Sequence, residues 1–335
     1  MSAAILVTGP GAHQLISQPV TSPGPAEALV RVHSNGICRS DTDILRGARP
    51  DGYVRYPLTP GHEWSGTVER VGSGVPAGLL GRKVVGESAR GCQICERCHL
   101  GESTLCESGY EETGFTQPGG MAETLVIPAR HLHVLPDDAD LAAAALLEPA
   151  ACAVAAVLKA RPLPLESIAV LGDGVFGLLV VQFLVATGAK RVTVVGSGAG
   201  REGLALALGA HAYIALGESL PREFDVAIHT VDAHTTSQQA VGTLRKGGRL
   251  IGTSTGLGPD LLDPAELMKR QLNVQCVLGA TSAAWVRAVR AFTSGLLSTR
   301  PLITHTFGLD AYRHALQLSE SAGPAVGKVL LRPGA

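Results

Sequence analysis

The chain has 335 residues, a length that favours about two domains and suffices for a substantial hydrophobic core. It carries 28 Lys and Arg against 29 Asp and Glu, a formal charge of −1, which excludes the strong positive field that nucleic-acid backbones require. Charged residues make up 17% and hydrophobic residues 45%, so the composition excludes a disordered chain and predicts a globular protein.

The N-terminal segment and the cysteines indicate the cellular compartment. Residues 1–7 lead directly into Thr8-Gly9-Pro10, without a basic region or a long apolar segment, so no secretory signal is predicted. The longest apolar stretch, 141–158, is interrupted by Glu148 and Pro149, which argues against a membrane span. Seven cysteines argue against a disulfide framework and favour metal or catalytic roles. We therefore expect a cytoplasmic protein without membrane contact.

In chain order, short β-rich segments come first and the texture changes after Pro149. Segments 26–32 and 66–71 are bounded by Pro and Gly clusters, which predicts an all-β beginning. An Ala-rich helix at 150–160 then precedes a strand at 168–171, a glycine loop and an apolar helix at 178–187. Further strands are predicted at 191–195, 212–214, 225–230 and 249–252. This alternation predicts a parallel, doubly wound sheet.

The chain therefore divides into three predicted segments of an α/β protein. A mostly-β domain covers residues 1–152 and includes a cysteine-rich lobe at about 88–110. The doubly wound domain covers residues 153–280. Residues 281–335, with a helix at 283–292 and a strand at 328–331, form a return segment that completes the first domain. His131 and His133 alternate along a predicted strand, which is typical of a solvated strand face.

Four cysteines predict a structural metal site. Cys92, Cys95, Cys98 and Cys106 follow the spacing C-x2-C-x2-C-x7-C, so their thiolates can surround one ion tetrahedrally. Since four sulfurs leave no open position, this zinc is predicted to be structural rather than catalytic. His99 lies beside the cysteines and is interpreted as a bystander.

A more dispersed group predicts an open metal site. Cys38, His62, Glu63 and Glu148 supply one thiolate, one imidazole and two carboxylates. Three such ligands plus a water make a Lewis-acidic zinc that lowers the pKa of an alcohol. Ser40 follows Cys38 by two residues and is a candidate to pass the substrate proton onward, and Asp41 to orient a ligand.

A glycine fingerprint predicts a dinucleotide site. Gly172-Asp173-Gly174-Val175-Phe176-Gly177 comes directly after the predicted strand at 168–171 and opens a helix. The glycines permit a tight turn and let a pyrophosphate reach the backbone N–H groups of the helix N-terminus. The residues expected to contact the coenzyme here are Gly172, Gly174, Val175, Phe176 and Gly177.

Taken together, these motifs resemble the zinc-dependent medium-chain alcohol and polyol dehydrogenases over nearly the whole chain. The resemblance implies a GroES-like catalytic domain, a Rossmann domain, and hydride transfer between a zinc-bound alcohol and nicotinamide. It implies that Cys38 and His62 bind zinc and that Glu63 binds it directly or through water. Glu148 matches the position where the polyol, sugar and threonine dehydrogenase branch has Glu. Ser40 would be the hydroxyl of the proton relay, and Arg39 would reach a coenzyme phosphate.

Two residues depart from the family pattern. Asp43 stands where many alcohol dehydrogenases carry the relay histidine, so Asp43 or solvent would continue the proton path. The second predicted Rossmann strand ends in Gly196-Ser197, without the acidic residue that accepts from the ribose hydroxyls of NAD. Ser197 and Arg201 could instead bind a 2′-phosphate, so we expect NADP in preference to NAD, although Gly196 would be neutral if NAD bound through other contacts.

The predicted function is a zinc-dependent, NAD(P)-linked oxidoreductase that interconverts a secondary alcohol and its ketone. The carboxylate-type ligand set favours polyol, sugar or cyclitol substrates, and Glu87, Glu111 or Glu112 would suit a cationic amino-sugar substrate if one of them lined the cleft. A non-catalytic nucleotide-binding scaffold with only the structural zinc is the alternative, and a metal-free reductase of activated double bonds is a third. The resemblance implies a homodimer or homotetramer.

Overall fold

The N-terminal part of the computed structural model consists mainly of β-strands. The structure describes residues 1–198, 200–231, 236–253, 261–321, 323 and 325–334. Unit 1 comprises Met1–Glu148, Thr281–Gly295 and Thr299–Ala335. Its first elements are β1 (Ser2–Gly9), β2 (Ala12–Gln18), β3 (Glu27–Gly36), α1 (Arg39–Arg46), β4 (Glu63–Val71), β5 (Lys83–Gly86), α2 (Glu96–His99), β6 (Thr124–Pro128), β7 (Leu132–Val134) and α3 (Leu141–Ala144).

Unit 2 is a parallel sheet with alternating helices, formed by Pro149–Ala280 and Leu296–Ser298. After α4 (Leu147–Ala160) come β8 (Ser167–Leu171), α5 (Val175–Ala186), β9 (Arg191–Gly196), α6 (Glu202–Ala207), β10 (Ala212–Ala215), β11 (Phe224–His229), α7 (Thr236–Thr243), β12 (Leu244–Gly252), α8 (Pro264–Arg270) and β13 (Asn273–Cys276). The strand order is β10-β9-β8-β11-β12-β13, and all five pairings are parallel. This is the Rossmann order, in which ligands bind outside the carboxyl ends of the central strands.

The C-terminal segment completes the sheet of unit 1. Its elements are α9 (Ser282–Thr293), β14 (Ile303–Gly308), α10 (Tyr312–Glu320) and β15 (Lys328–Arg332). The sheet order is β14-β15-β3-β4-β5-β7, and β6 also pairs with β3. Because β15 lies antiparallel to β3, the end of the chain contributes side chains beside the first strands of the unit.

Each unit has its own hydrophobic core. In unit 1, Trp64 packs among buried Val, Leu and Ile side chains of β3 to β6. In unit 2, Phe224 and Leu244 pack with residues of β8, β9 and α7. Helix α5 is buried over most of its length, which explains why its sequence is apolar on all sides.

The predicted elements are confirmed in type and approximate position, and the α/β class with them. One expectation was wrong. His131 does not lie on a solvated strand face: it ends a short 3-10 turn directly before β7 and is buried there. Among the described residues, no helix has the length and apolarity needed to cross a bilayer.

Candidate active site

Three side chains from two separate segments of unit 1 converge on one point. Cys38 stands immediately before α1, while His62 immediately precedes β4 and Glu63 is the first residue of β4. One ligand atom of each lies within 4.8 Å of the others. The antiparallel pairing of β3 with β4 sets Gly36 opposite Glu63, which brings the chain that follows β3 beside His62. A Cβ on Gly36 would collide with the Glu63 carboxylate, so this close approach requires glycine.

The donor atoms of this cluster fit zinc. His62 and Glu63 are buried, and both have a charged neighbour: Asp41 Oδ1 lies 3.4 Å from His62 Nδ1, and Lys328 Nζ lies 2.7 Å from Glu63 Oε2. Because Asp41 faces Nδ1, the other ring nitrogen of His62 is the one available to an ion. A thiolate, an imidazole and a carboxylate are the ligands that zinc prefers, and three of them leave a fourth position open.

Two charged residues support the cluster. Asp41 Oδ2 accepts from the Cys38 backbone N–H at 2.9 Å, and Asp41 Oδ1 lies 3.4 Å from His62 Nδ1. Burial alone would lower the pKa of His62, but Asp41 outweighs it and holds this pKa well above its ordinary value. Lys328 on β15 donates to Glu63 Oε1 at 2.7 Å and to the Ile37 carbonyl at 3.2 Å. The role of Lys328 was not predicted from the sequence, although a lysine next to the apolar residues Val329, Leu330 and Leu331 was unusual.

The structure also places the residues predicted for proton transfer. Ser40 Oγ lies 3.3 Å from Cys38 Sγ, so the hydroxyl reaches the cluster. Asp43 is half-buried on the same helix, but its side chain makes no polar contact with Ser40 or Cys38 in the described residues. Arg39 is exposed at the first position of α1.

Glu148 lies near the cluster but outside the set of atoms that converge on it. Its Oε1 accepts from Ser88 Oγ at 3.4 Å. Burial raises the pKa of Glu148 to about 7, with neighbouring Glu63 and Glu112 adding to the effect and His62 opposing it. Direct ligation by Glu148 therefore stays a prediction, and Glu63 is the carboxylate that the structure brings to the metal position.

The three acidic residues considered for a cationic substrate have different surroundings. Glu87 is engaged, since Oε1 lies 3.0 Å from His133 Nε2 and Oε2 accepts from Ser282 at 2.8 Å. Glu111 bonds Arg55, Thr116 and Gln117. Burial raises the pKa of Glu112, an effect that His62 partly offsets, so Glu112 belongs to the surroundings of the metal cluster.

The four cysteines of the lobe also converge. The Sγ atoms of Cys92, Cys95, Cys98 and Cys106 all lie within 4.8 Å of one another. Hydrogen bonds lower the pKa of Cys92 to about 6, and the bond with Ser108 has the largest effect. Burial raises the pKa of Cys98 to about 12. A dication would favour the thiolate at all four positions, so the arrangement fits a closed S4 zinc site.

In unit 2, the glycine fingerprint forms the turn between β8 and α5. A Cβ on Gly177 would collide with the Gly172 carbonyl, and Gly172 itself has φ +125°. Gly174 caps α5 and faces open space, while Val175 and Phe176 begin the helix. The loop thus exposes helix N–H groups for a pyrophosphate. Gly196 ends β9, and Arg201 Nη1 donates to the Asp173 carbonyl at 3.3 Å.

Family models match both structural units. The alcohol dehydrogenase GroES-like domain matches residues 24–137, and the zinc-binding dehydrogenase domain matches residues 175–294. This chain belongs to the zinc-dependent medium-chain dehydrogenase family. The predicted fold, a GroES-like domain with a Rossmann domain, and the predicted enzyme class, an oxidoreductase acting on alcohols, are confirmed. Zinc and a nicotinamide dinucleotide are confirmed as the cofactors at the level of the family.

Named relatives cover nearly the full chain of this medium-chain dehydrogenase. Human sorbitol dehydrogenase is 28% identical over 98% of this chain and 95% of its own length. An L-threonine 3-dehydrogenase of Sinorhizobium fredii is 28% identical over 93% of each chain. The crystal structure of a zinc-binding dehydrogenase from Sinorhizobium meliloti 1021, bound to NADP, superimposes with a TM-score of 0.91 at 27% identity and covers 99% of both chains.

Proposed function

We propose that this dehydrogenase interconverts a secondary alcohol of polyol, sugar, cyclitol or amino-sugar type and its ketone, with one catalytic and one structural zinc per chain. The observation that carries the proposal is the buried convergence of Cys38, His62 and Glu63, with the Ser40 hydroxyl 3.3 Å from Cys38 Sγ. A protein that only bound nucleotides would have no need for an open, buried metal site beside a hydroxyl.

The chain's own residues divide the work of the reaction. When bound, zinc would supply a Lewis acid that polarises the substrate oxygen. Ser40 would take the alcohol proton, since its hydroxyl is the neutral donor and acceptor next to the cluster. Asp41 holds His62 in orientation, and Lys328 holds the carboxylate of Glu63. Asp43 lies on the same helix as Ser40, and continuation of the proton path through Asp43 or solvent stays a prediction.

Acidic surroundings support a polyhydroxy or cationic substrate. Glu148 is buried and Glu112 half-buried near His62, and their pKa values are raised because burial disfavours their charge. Carboxylates accept hydrogen bonds from several hydroxyls and attract an ammonium group. The names of the two curated relatives point the same way, since sorbitol is a polyol and threonine carries both a hydroxyl and an ammonium group.

The test combines zinc content with turnover. We expect two zinc ions per chain in the purified protein and coenzyme reduction with at least one member of a polyol and aminocyclitol panel. His62→Ala should retain one zinc and lose turnover, because the cluster loses its nitrogen ligand while the cysteine lobe is intact. His99→Ala is the matched control: His99 is exposed on α2, so this variant should keep both ions and full turnover.

Other results would favour the alternatives. One zinc per chain, coenzyme binding and no turnover would support the non-catalytic scaffold. Turnover that persists after chelation of the metal, with an activated alkene as substrate, would support a metal-free reductase. Metal content is measured by inductively coupled plasma mass spectrometry, and turnover by absorbance of the reduced coenzyme.

A further inference from the structure

Asp173 places a carboxylate at the end of β9, where the sequence of the strand itself lacks one. The residue belongs to the glycine fingerprint between β8 and α5 and is only 8% exposed. The expectation of NADP rested on the absence of an acidic residue at Gly196 and Ser197. The structure supplies such a group from the neighbouring loop, within the same unit.

Three hydrogen bonds hold the carboxylate in place. Asp173 Oδ2 accepts from the Ser197 backbone N–H at 2.9 Å, from Ser197 Oγ at 3.0 Å and from the Tyr213 hydroxyl at 2.7 Å. The Tyr213 oxygen in turn accepts from the Gly198 backbone N–H at 2.8 Å. Burial, together with Asp173, raises the pKa of Tyr213 to about 12, so the phenol stays protonated and donates at neutral pH.

The same network explains the glycine at position 196. A Cβ on Gly196 would collide with Asp173 Oδ2 and with the Tyr213 hydroxyl oxygen. The acidic residue that NAD enzymes carry at the end of this strand therefore has no room here. Its space is occupied by the carboxylate of Asp173, so glycine at 196 is a consequence of Asp173 and not a mark of NADP binding.

The network also commits Ser197, one of the two residues expected to bind a 2′-phosphate. Both donors of Ser197, the backbone N–H and the hydroxyl, point to Asp173. A phosphate near Ser197 would face the Asp173 charge, and the two anions would repel each other. All three hydrogen bonds to the carboxylate fall on Oδ2, and none of those seen among the described residues involves Oδ1. Since a carboxylate has acceptor sites on both oxygens, Oδ1 remains able to accept from a hydroxyl.

We propose that Asp173 is the residue that selects NAD over NADP, accepting from the 2′-hydroxyl of the adenosine ribose and excluding a 2′-phosphate. This inference rests on the proposed function, because it assumes a nicotinamide dinucleotide at the fingerprint. It reverses the preference for NADP drawn from the sequence of β9.

The test measures coenzyme binding without an alcohol substrate. Dissociation constants of NADH and NADPH are determined by fluorescence titration of the full-length protein at one ionic strength. The wild type should bind NADH at least about tenfold tighter, and Asp173→Asn should reduce this preference by about tenfold or more, because the variant removes the charge and keeps the shape. Glu202→Gln removes a charge from an exposed residue on α6 and should change the preference less than about twofold.

Contrary results separate this inference from the proposed function. Two results would overturn only the role of Asp173. One is tighter binding of NADPH than of NADH by the wild type. The other is an unchanged preference for NADH in an Asp173→Asn variant that melts at the temperature of the wild type. Binding of neither coenzyme would overturn the proposed function as well. If Asp173→Asn does not fold, displacement of NADH from the wild type decides: 5′-AMP should compete better than adenosine 2′,5′-bisphosphate, and the reverse order would refute the inference.

Discussion

Single buried charges determine much of the behaviour of unit 1. Lys328 and Glu63 form an ion pair in which both side chains are buried. Taking two charges out of water is costly, and the pair is tolerable because each charge compensates the other. The two residues lie 265 positions apart in the chain, so no local pattern could have linked them. The ligand types at Cys38, His62 and Glu63 were predictable from the motifs, whereas their partner on β15 required the fold.

The burial of His131 was likewise not predictable from the sequence, and it leads to a prediction about the pH dependence of stability. It is 4% exposed, and burial, with Arg130 as a further cause, lowers its pKa to about 4. In the unfolded chain the His131 imidazole has a pKa of about 6.5, so below that pH protonation favours the unfolded state. The free energy of unfolding therefore has its full value above about pH 6.5 and falls as the pH approaches 4. The loss between pH 7.5 and pH 5 amounts to about 2 kcal/mol for this residue.

His131→Asn should remove this pH dependence. Urea unfolding at pH 7.5 and pH 5 measures the free energy of unfolding, and the wild type should lose about 2 kcal/mol more than the variant between the two pH values. His99→Asn is the matched control and should lose as much as the wild type, since His99 is exposed. Equal losses in wild type and His131→Asn would show that the buried imidazole does not titrate as described.

At the scale of elements, the turn from β8 to α5 was the most predictable feature of unit 2. Its glycines have separable roles that the structure reveals. Gly177 lets the helix approach the Gly172 carbonyl, while Gly174 faces open space and leaves room for a ligand. The predicted helix began at 178, but α5 begins at Val175, because the fingerprint residues themselves form its first turn. Periodicity alone could not show this, since one residue of the first turn, Gly177, and the N-cap residue, Gly174, are glycines, which disfavour helix.

Exchanging these two glycines for alanine should give opposite results. Gly177→Ala should lower the free energy of unfolding by about 2 kcal/mol, because the new methyl group collides with backbone. Gly174→Ala should melt like the wild type, since nothing lies within 4 Å of its Cβ, but should bind NADH at least about tenfold more weakly, because the methyl group occupies the approach of the pyrophosphate. Thermal melts and fluorescence titrations distinguish the two; unaltered NADH binding by Gly174→Ala would argue against a coenzyme at this loop.

At the scale of the whole molecule, the two units differ in how the chain builds them. Unit 2 is nearly continuous, whereas unit 1 needs the C-terminal segment to complete its sheet. The sequence indicated the return segment through one helix and one strand, but not the pairing of β15 with β3, because strand partners this far apart leave no local trace. The oligomeric state stays a prediction.

This asymmetry predicts which fragments fold independently. The core of unit 2 closes within residues 149–280, so this fragment should melt cooperatively and bind NADH within about tenfold of the full-length affinity. Residues 1–148 lack β14 and β15, which leaves the end of β3 at Asn35 and Gly36 without its β15 partner and Glu63 without Lys328. An uncompensated buried charge alone costs about 3 kcal/mol or more, so this fragment should show no cooperative transition by circular dichroism. A cooperative melt of residues 1–148 would contradict the prediction, because it would mean that the sheet is stable without its C-terminal strands. Recovery of a cooperative melt when residues 281–335 are added would support the prediction.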